Sequence, residues 1–113
     1  MISDKQRHKK TNYRDRNLEN RRRIMQVKNL FNKNTSFFNK DFKTKDEVID
    51  FLSSVLFEQN FISNKNDFIK AIYTREKQGS TGVGDGIAIP HALNSNVKKS
   101  VIAYISLKQP IHW

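Results

Sequence analysis

The chain has 113 residues, a formal net charge of +10, and no cysteine. That length holds one domain, and the absence of cysteine excludes a disulfide framework, a thiolate metal site and a cysteine nucleophile within it. The longest apolar run, Val101 to Ile105, falls far short of the roughly 20 residues that cross a bilayer, and the charged N-terminus lacks the apolar stretch of a secretory signal. A cytoplasmic protein without membrane insertion is expected.

The charge is concentrated in an arm. Residues 1–30 carry ten Lys/Arg against three Asp/Glu, whereas residues 31–113 carry eleven against eight. The sequence therefore divides into a basic arm over 1–32 and a domain over 33–113. Residues 1–17 hold too little apolar surface to offset the entropy of ordering and read as disordered. Residues 18–31, with Leu18, Ile24, Met25, Val27, Leu30 and Phe31 around Arg21-Arg22-Arg23, read as a weak helix. Lys9, Lys10 and the arginine triplet could attract nucleic acid, but only non-specifically and with a steep salt dependence, since no stacking platform or helix-turn-helix pattern accompanies them.

Thr35-Ser36-Phe37-Phe38 is the best candidate for a first strand. A helix is predicted over 45–59: Thr44 and Glu47 form a capping box, Val48, Ile49, Leu52, Val55 and Leu56 recur at helical spacing, and Asn60 stops it. A second helix is predicted over 65–76, with Asn64 as N-cap and Phe68, Ile69, Ala71 and Ile72 on its buried side. Arg75 and Glu76 then occupy its last turn, where the cation suits the C-terminal end of the helix dipole. Ile87-Ala88-Ile89 reads as a short strand stopped by Pro90. Ser100 to Leu107 reads as a strand apolar on both faces, as in a sheet covered by helices on both sides. Helices alternating with strands define an α/β class.

All four glycines, Gly79, Gly82, Gly84 and Gly86, lie within eight residues that lead to Pro90-His91. The P-loop pattern fails because Asp85-Gly86 stands where Lys-Ser/Thr is needed. The dinucleotide pattern fails because the spacing is one residue short and the loop follows a helix. An ordinary turn explains glycines between a helix and a strand equally well. The company they keep supports a different chemistry. An imidazole with a free lone pair is a nucleophile near neutral pH. Backbone N–H groups of Gly82 and Gly84 can form an anion nest, with Ser80 and Thr81 adding hydroxyl donors, and Arg75 can hold phosphoryl oxygens bidentately. His91 and Arg75 are therefore the candidate catalytic residues, and Ser80, Thr81, Gly82 and Gly84 the candidate phosphate-binding residues. His8, His91 and His112 share no metal-ligand spacing, so no metal and no cofactor is expected.

Arg75-Glu76 followed by Ser80-Thr81-Gly82-Val83-Gly84-Asp85-Gly86-Ile87-Ala88-Ile89-Pro90-His91 closely resembles the signature of the mannitol/fructose-type enzyme IIA domains of the bacterial phosphoenolpyruvate-dependent sugar phosphotransferase system. The resemblance covers roughly residues 33–113 and implies a mixed β-sheet flanked by helices. It implies that His91 takes a phosphoryl group from the phosphohistidine of the carrier HPr, with Arg75 helping to hold it. The group then passes to a cysteine of a IIB domain or IIBC permease, which must lie on another chain. The family pattern continues past Trp113 to a second active-site histidine, with which His112 does not align. The chain therefore reads as a C-terminally truncated IIA domain, marginally stable or self-associating and a poor catalyst in isolation. The same resemblance admits a regulatory, nitrogen-type IIA module in which the phosphohistidine is a signal, or an inactive remnant.

Overall fold

The computed structural model describes residues 2–3 and 30–113. The reading of residues 4–29 as a polar arm leading into a weak helix falls outside them. A four-stranded mixed sheet carries two helices, and a small two-stranded hairpin stands beside it.

Strand β1 (Ile2–Ser3) lies between β5 (His91–Ala92) and β6 (Val101–Leu107), parallel to the former and antiparallel to the latter. Composition alone assigned Ile2 and Ser3 to disorder. Backbone pairing on both sides supplies what their side chains could not, since every main-chain N–H and C=O gains by joining a ladder. Strand β2 (Phe31–Lys40) pairs in parallel with β6 and forms the other edge, giving the order β2-β6-β1-β5. It is longer than the Thr35–Phe38 stretch marked by hydrophobicity, and its register is irregular on both sides of the Ser36/Phe37 pairs. Leu30 is helical and Phe31 already belongs to β2; the rest of the helix expected over 18–31 lies outside the described residues.

Helix α1 spans Lys45–Glu58, with Thr44 accepting a hydrogen bond from the Glu47 N–H at 3.1 Å and Glu47 reaching back to the Lys43 N–H. It ends at Gln59, and Asn60 follows with φ +63, a conformation asparagine tolerates better than most residues. Helix α2 spans Lys65–Gln78, capped by the Asn64 side chain on the Asp67 N–H at 3.0 Å. Both caps sit where the sequence puts them. α2 runs two residues further than predicted because nothing opposes the helix until Gly79.

The helices pack on one face of the sheet. Ile49, Leu52 and Leu56 of α1, Phe68 and Ile72 of α2, and Val101 and Ala103 of β6 are all at most 1% exposed. Each of the larger side chains contributes about 1.5–3 kcal/mol by leaving water. Ile62 and Val97, joined by an isolated bridge, close the bottom of this core. On the other face the rings of Phe38 and Tyr104 meet at 5.5 Å, tilted by 45°, and remain 68% and 46% exposed. The strand apolar on both faces is thus covered by described helices on one face only.

Candidate active site

The last turn of α2 and the segment after it build the site. Gly82–Gly84 (β3) and Ile87–Ala88 (β4) form a hairpin whose two-residue loop is Asp85-Gly86, with φ +55 and +73. Positive φ at both loop residues matches the twist of the flanking strands, and Asp-Gly is the favoured dipeptide for it. The glycine segment is therefore a hairpin rather than a shapeless loop, and the Asp85-Gly86 pair was the signal for it. β4 leads through Ile89 and Pro90 into β5, where His91 is half-buried.

His91 is held at both ring nitrogens. Its Nδ1 lies 2.8 Å from the Ile89 carbonyl oxygen, and its Nε2 lies 3.2 Å from Arg75 Nε. A carbonyl can only accept and a guanidinium can only donate. The proton must then sit on Nδ1, leaving the lone pair on Nε2 facing the arginine. Arg75 is itself steadied by an Nη1–H bond to the Gly79 carbonyl at 2.8 Å. These two contacts use two of its five donors.

Of the other candidate residues, Ser80 accepts from the Gly82 N–H at 3.1 Å, which engages two of them with each other. Thr81 is only 4% exposed; its hydroxyl donates to Glu76 Oε1 and accepts from the Trp113 indole N–H at 3.1 Å. Gly84, with φ +93, begins the turn. The structure thus brings Arg75 to His91 and engages Thr81 and Gly82 within the hairpin's own frame. Glu76 and Trp113 belong to this neighbourhood and were not singled out by sequence as site residues. A carboxylate in the last turn of a helix and an aromatic six residues after a strand carry no pattern of their own.

His91 and Arg75 open onto a cleft of about 670 Å³ whose wall includes Lys70, Thr74, Gln78 and Leu93. Leu93 of that wall, and Val83 and Ile87 of the hairpin, are more than half exposed. His112 is exposed. Among the described residues no group of three His, Cys, Asp or Glu side chains could hold a metal ion, and no helix is long and apolar enough to cross a membrane.

The chain is thus a mixed α/β domain that sets one imidazole against a guanidinium at the mouth of an open cleft. The chain belongs to the family described as phosphoenolpyruvate-dependent sugar phosphotransferase system, EIIA 2, whose pattern matches residues 29–113. It is 39% identical over 80 residues to the fructose-specific EIIABC component of Bacillus subtilis (strain 168), covering 71% of this chain and 13% of that protein. It is 34% identical over 88 residues to a nitrogen regulatory protein of Klebsiella oxytoca, covering 77% of this chain and 54% of that protein. The crystal structure of the nitrogen regulatory protein IIA-Ntr from Neisseria meningitidis shares the fold, with a TM-score of 0.69 at 24% identity, over 76% of this chain and 58% of that one. The chain thus spans little more than half of the nitrogen-regulatory relatives and a small part of the multidomain one.

Proposed function

We propose that this chain is a phosphocarrier in which His91 accepts a phosphoryl group from phosphorylated HPr and passes it to a IIB domain on another polypeptide, in the service of sugar uptake. The observation that carries the reading is the pair of opposed contacts on the imidazole, Ile89 carbonyl on Nδ1 and Arg75 on Nε2. Nε2 attacks the phosphorus of the donor phosphohistidine; the new N–P bond forms as the donor's N–P bond breaks, and the donor imidazole keeps that electron pair. The His91 ring becomes positively charged as it bonds phosphorus, and its Nδ1–H stays on the Ile89 carbonyl, which stabilises that charge. Arg75 exchanges its contact with Nε2 for the phosphoryl oxygens. Such a transfer requires positioning and charge stabilisation and little else.

Incubation with phosphoenolpyruvate, enzyme I and HPr should place an acid-labile, alkali-stable phosphoryl group on the chain. His91→Ala should abolish it, the largest effect expected at any position. Arg75→Lys keeps the charge but loses the planar fork, and should slow labelling about 10–100-fold while the melting temperature stays close to that of the wild type. Label that survives His91→Ala would assign the chemistry elsewhere.

The likeness to nitrogen regulatory proteins, which covers a larger share of those relatives than of the transport components, favours a second reading in which the same phosphohistidine signals. The two are separated by the acceptor: transfer of label from His91 to a IIB cysteine supports transport, and phosphorylation-dependent capture of a regulator without transfer supports signalling.

A further inference from the structure

Glu76 occupies an unfavourable place for a carboxylate. It lies in the last turn of α2, at the negative end of the helix dipole, one residue from the arginine of a site proposed to receive an anion. Its contact explains what it does there. Glu76 accepts the hydroxyl proton of Thr81, a residue 4% exposed between two exposed neighbours, Ser80 and Gly82. The same hydroxyl oxygen accepts the Trp113 indole N–H at 3.1 Å. The Thr81 carbonyl accepts the Ile89 N–H at 2.9 Å, and the Ile89 carbonyl accepts the Nδ1–H of His91 at 2.8 Å. These bonds form one unbroken line from the end of α2 and the Trp113 ring to the imidazole. Arg75, adjacent to Glu76, reaches the same ring from the opposite side.

We infer that Glu76, Thr81 and Trp113 are positioning residues that fix the protonated nitrogen and the orientation of the His91 ring. The inference rests on the phosphocarrier reading for its kinetic consequence, but its structural content does not. A histidine's tautomer is set by the hydrogen bond that its second nitrogen makes, and that bond is only as firm as the carbonyl accepting it. Ile89 lies in a segment with little packing of its own: Ile87 is 56% and Ile89 37% exposed. Beside the buried Pro90, its hydrogen bond to Thr81 is what holds it. Thr81 and Pro90 are the buried residues at the two ends of this segment, and the two side-chain bonds of Thr81 anchor the backbone that holds Ile89. If the line is cut, the ring gains access to the other tautomer, in which Nε2 carries the proton and has no lone pair to give.

The test uses the full chain and two readouts. The first is the rate of transfer from phosphorylated HPr, separated into kcat and KM. The second is the pair of imidazole 15N shifts of His91, which report the tautomer without any phosphoryl donor. Thr81→Val keeps the size of the side chain and removes both side-chain bonds. Trp113→Phe removes one, and Glu76→Gln weakens the acceptor. Each is expected to lower kcat, Thr81→Val by about 10–100-fold as for loss of other residues that orient a functional histidine, with KM changed by no more than about twofold because the cleft is untouched. The 15N spectrum should gain the Nε2–H form in the same order. Thr81→Ser restores the hydroxyl and should restore both readouts. Thr81→Val with wild-type kcat and an unshifted tautomer would overturn the inference, as would a kcat loss that Thr81→Ser does not recover. A wild-type chain that accepts no label would defeat the phosphocarrier reading alone; the 15N comparison of wild type, Thr81→Val and Thr81→Ser would still decide the positioning role.

Discussion

The helix-facing side of the sheet and the glycine hairpin obtain order by different means. Where α1 and α2 meet β6, Ile49, Leu56, Phe68 and Ile72 are completely buried, and the geometry follows from close packing. In the hairpin, Gly82, Val83 and Gly84 are all exposed, and no side chain of β3 contributes to the core. Its shape follows from two positive-φ residues in the turn and from the hydrogen bonds that tie Thr81 to Glu76, Trp113 and Ile89. A packed core resists change by volume, whereas a hydrogen-bonded loop resists it by direction. The second suits the role proposed for His91, whose ring must keep one orientation while its Nε2 exchanges one contact for another.

Substitutions should therefore separate stability from transfer. Phe68→Ala, which opens a cavity at a fully buried position, is expected to cost about 3–5 kcal/mol. At temperatures where the variant is still folded, transfer per folded molecule should match the wild type. Chemical denaturation read alongside labelling checks both halves, and a rate that falls in folded Phe68→Ala would mean that the core and the site are not separable. Gly86→Ala should show the opposite balance. A β-carbon at φ +73 meets no neighbouring atom, so the penalty is the left-handed backbone alone, about 1–2 kcal/mol. The turn should shift, and with it the Ile89–His91 contact, so transfer should fall by more than stability predicts.

The smallest effect lies on the helix side, where Tyr73 of α2 donates its hydroxyl to Asp46 of α1. Burial, with the carboxylate of Asp46 adding to it, pushes the Tyr73 phenol from 10.0 up to about 12. The folded state thus keeps this proton over a range where the unfolded chain has lost it. The associated stability is complete below pH 10 and disappears as pH rises through about 12. Denaturant midpoints measured across that window should fall more steeply for the wild type than for Tyr73→Phe, while transfer near neutral pH stays the same in both.

How much of this was legible depended on the kind of force involved. Thr44 and Asn64 announced the helices because capping is a local bargain between a side chain and a backbone N–H three residues away. Arg75, His91 and the glycines could be named because their types and order form a recognisable pattern. The spacing of Asp85-Gly86 also encoded the hairpin, although a search for anion nests passed over it. The Thr81 links to Glu76 and Trp113 were less accessible: one spans five residues and the other thirty-two, and a threonine beside glycines looks like a donor for ligand until its partners are known. The same limit applied to Ile2–Ser3, whose place in the sheet depends on strands about ninety and a hundred residues away. The exposure of Phe38 and Tyr104 was not legible, because aromatic letters in a strand do not say which side water is on.

Trp113 is the only tryptophan in the chain, and its indole N–H points at Thr81 while Lys45 Nζ sits 5.8 Å from its ring centre. The chain therefore carries one tryptophan fluorophore, which can be excited apart from its tyrosines, set between a buried hydroxyl and a cation at the edge of the hairpin that leads to His91. Its emission responds to the hydrogen bond and charge around it rather than to the bulk fold, so an optical signal already exists for following the site in real time without a label.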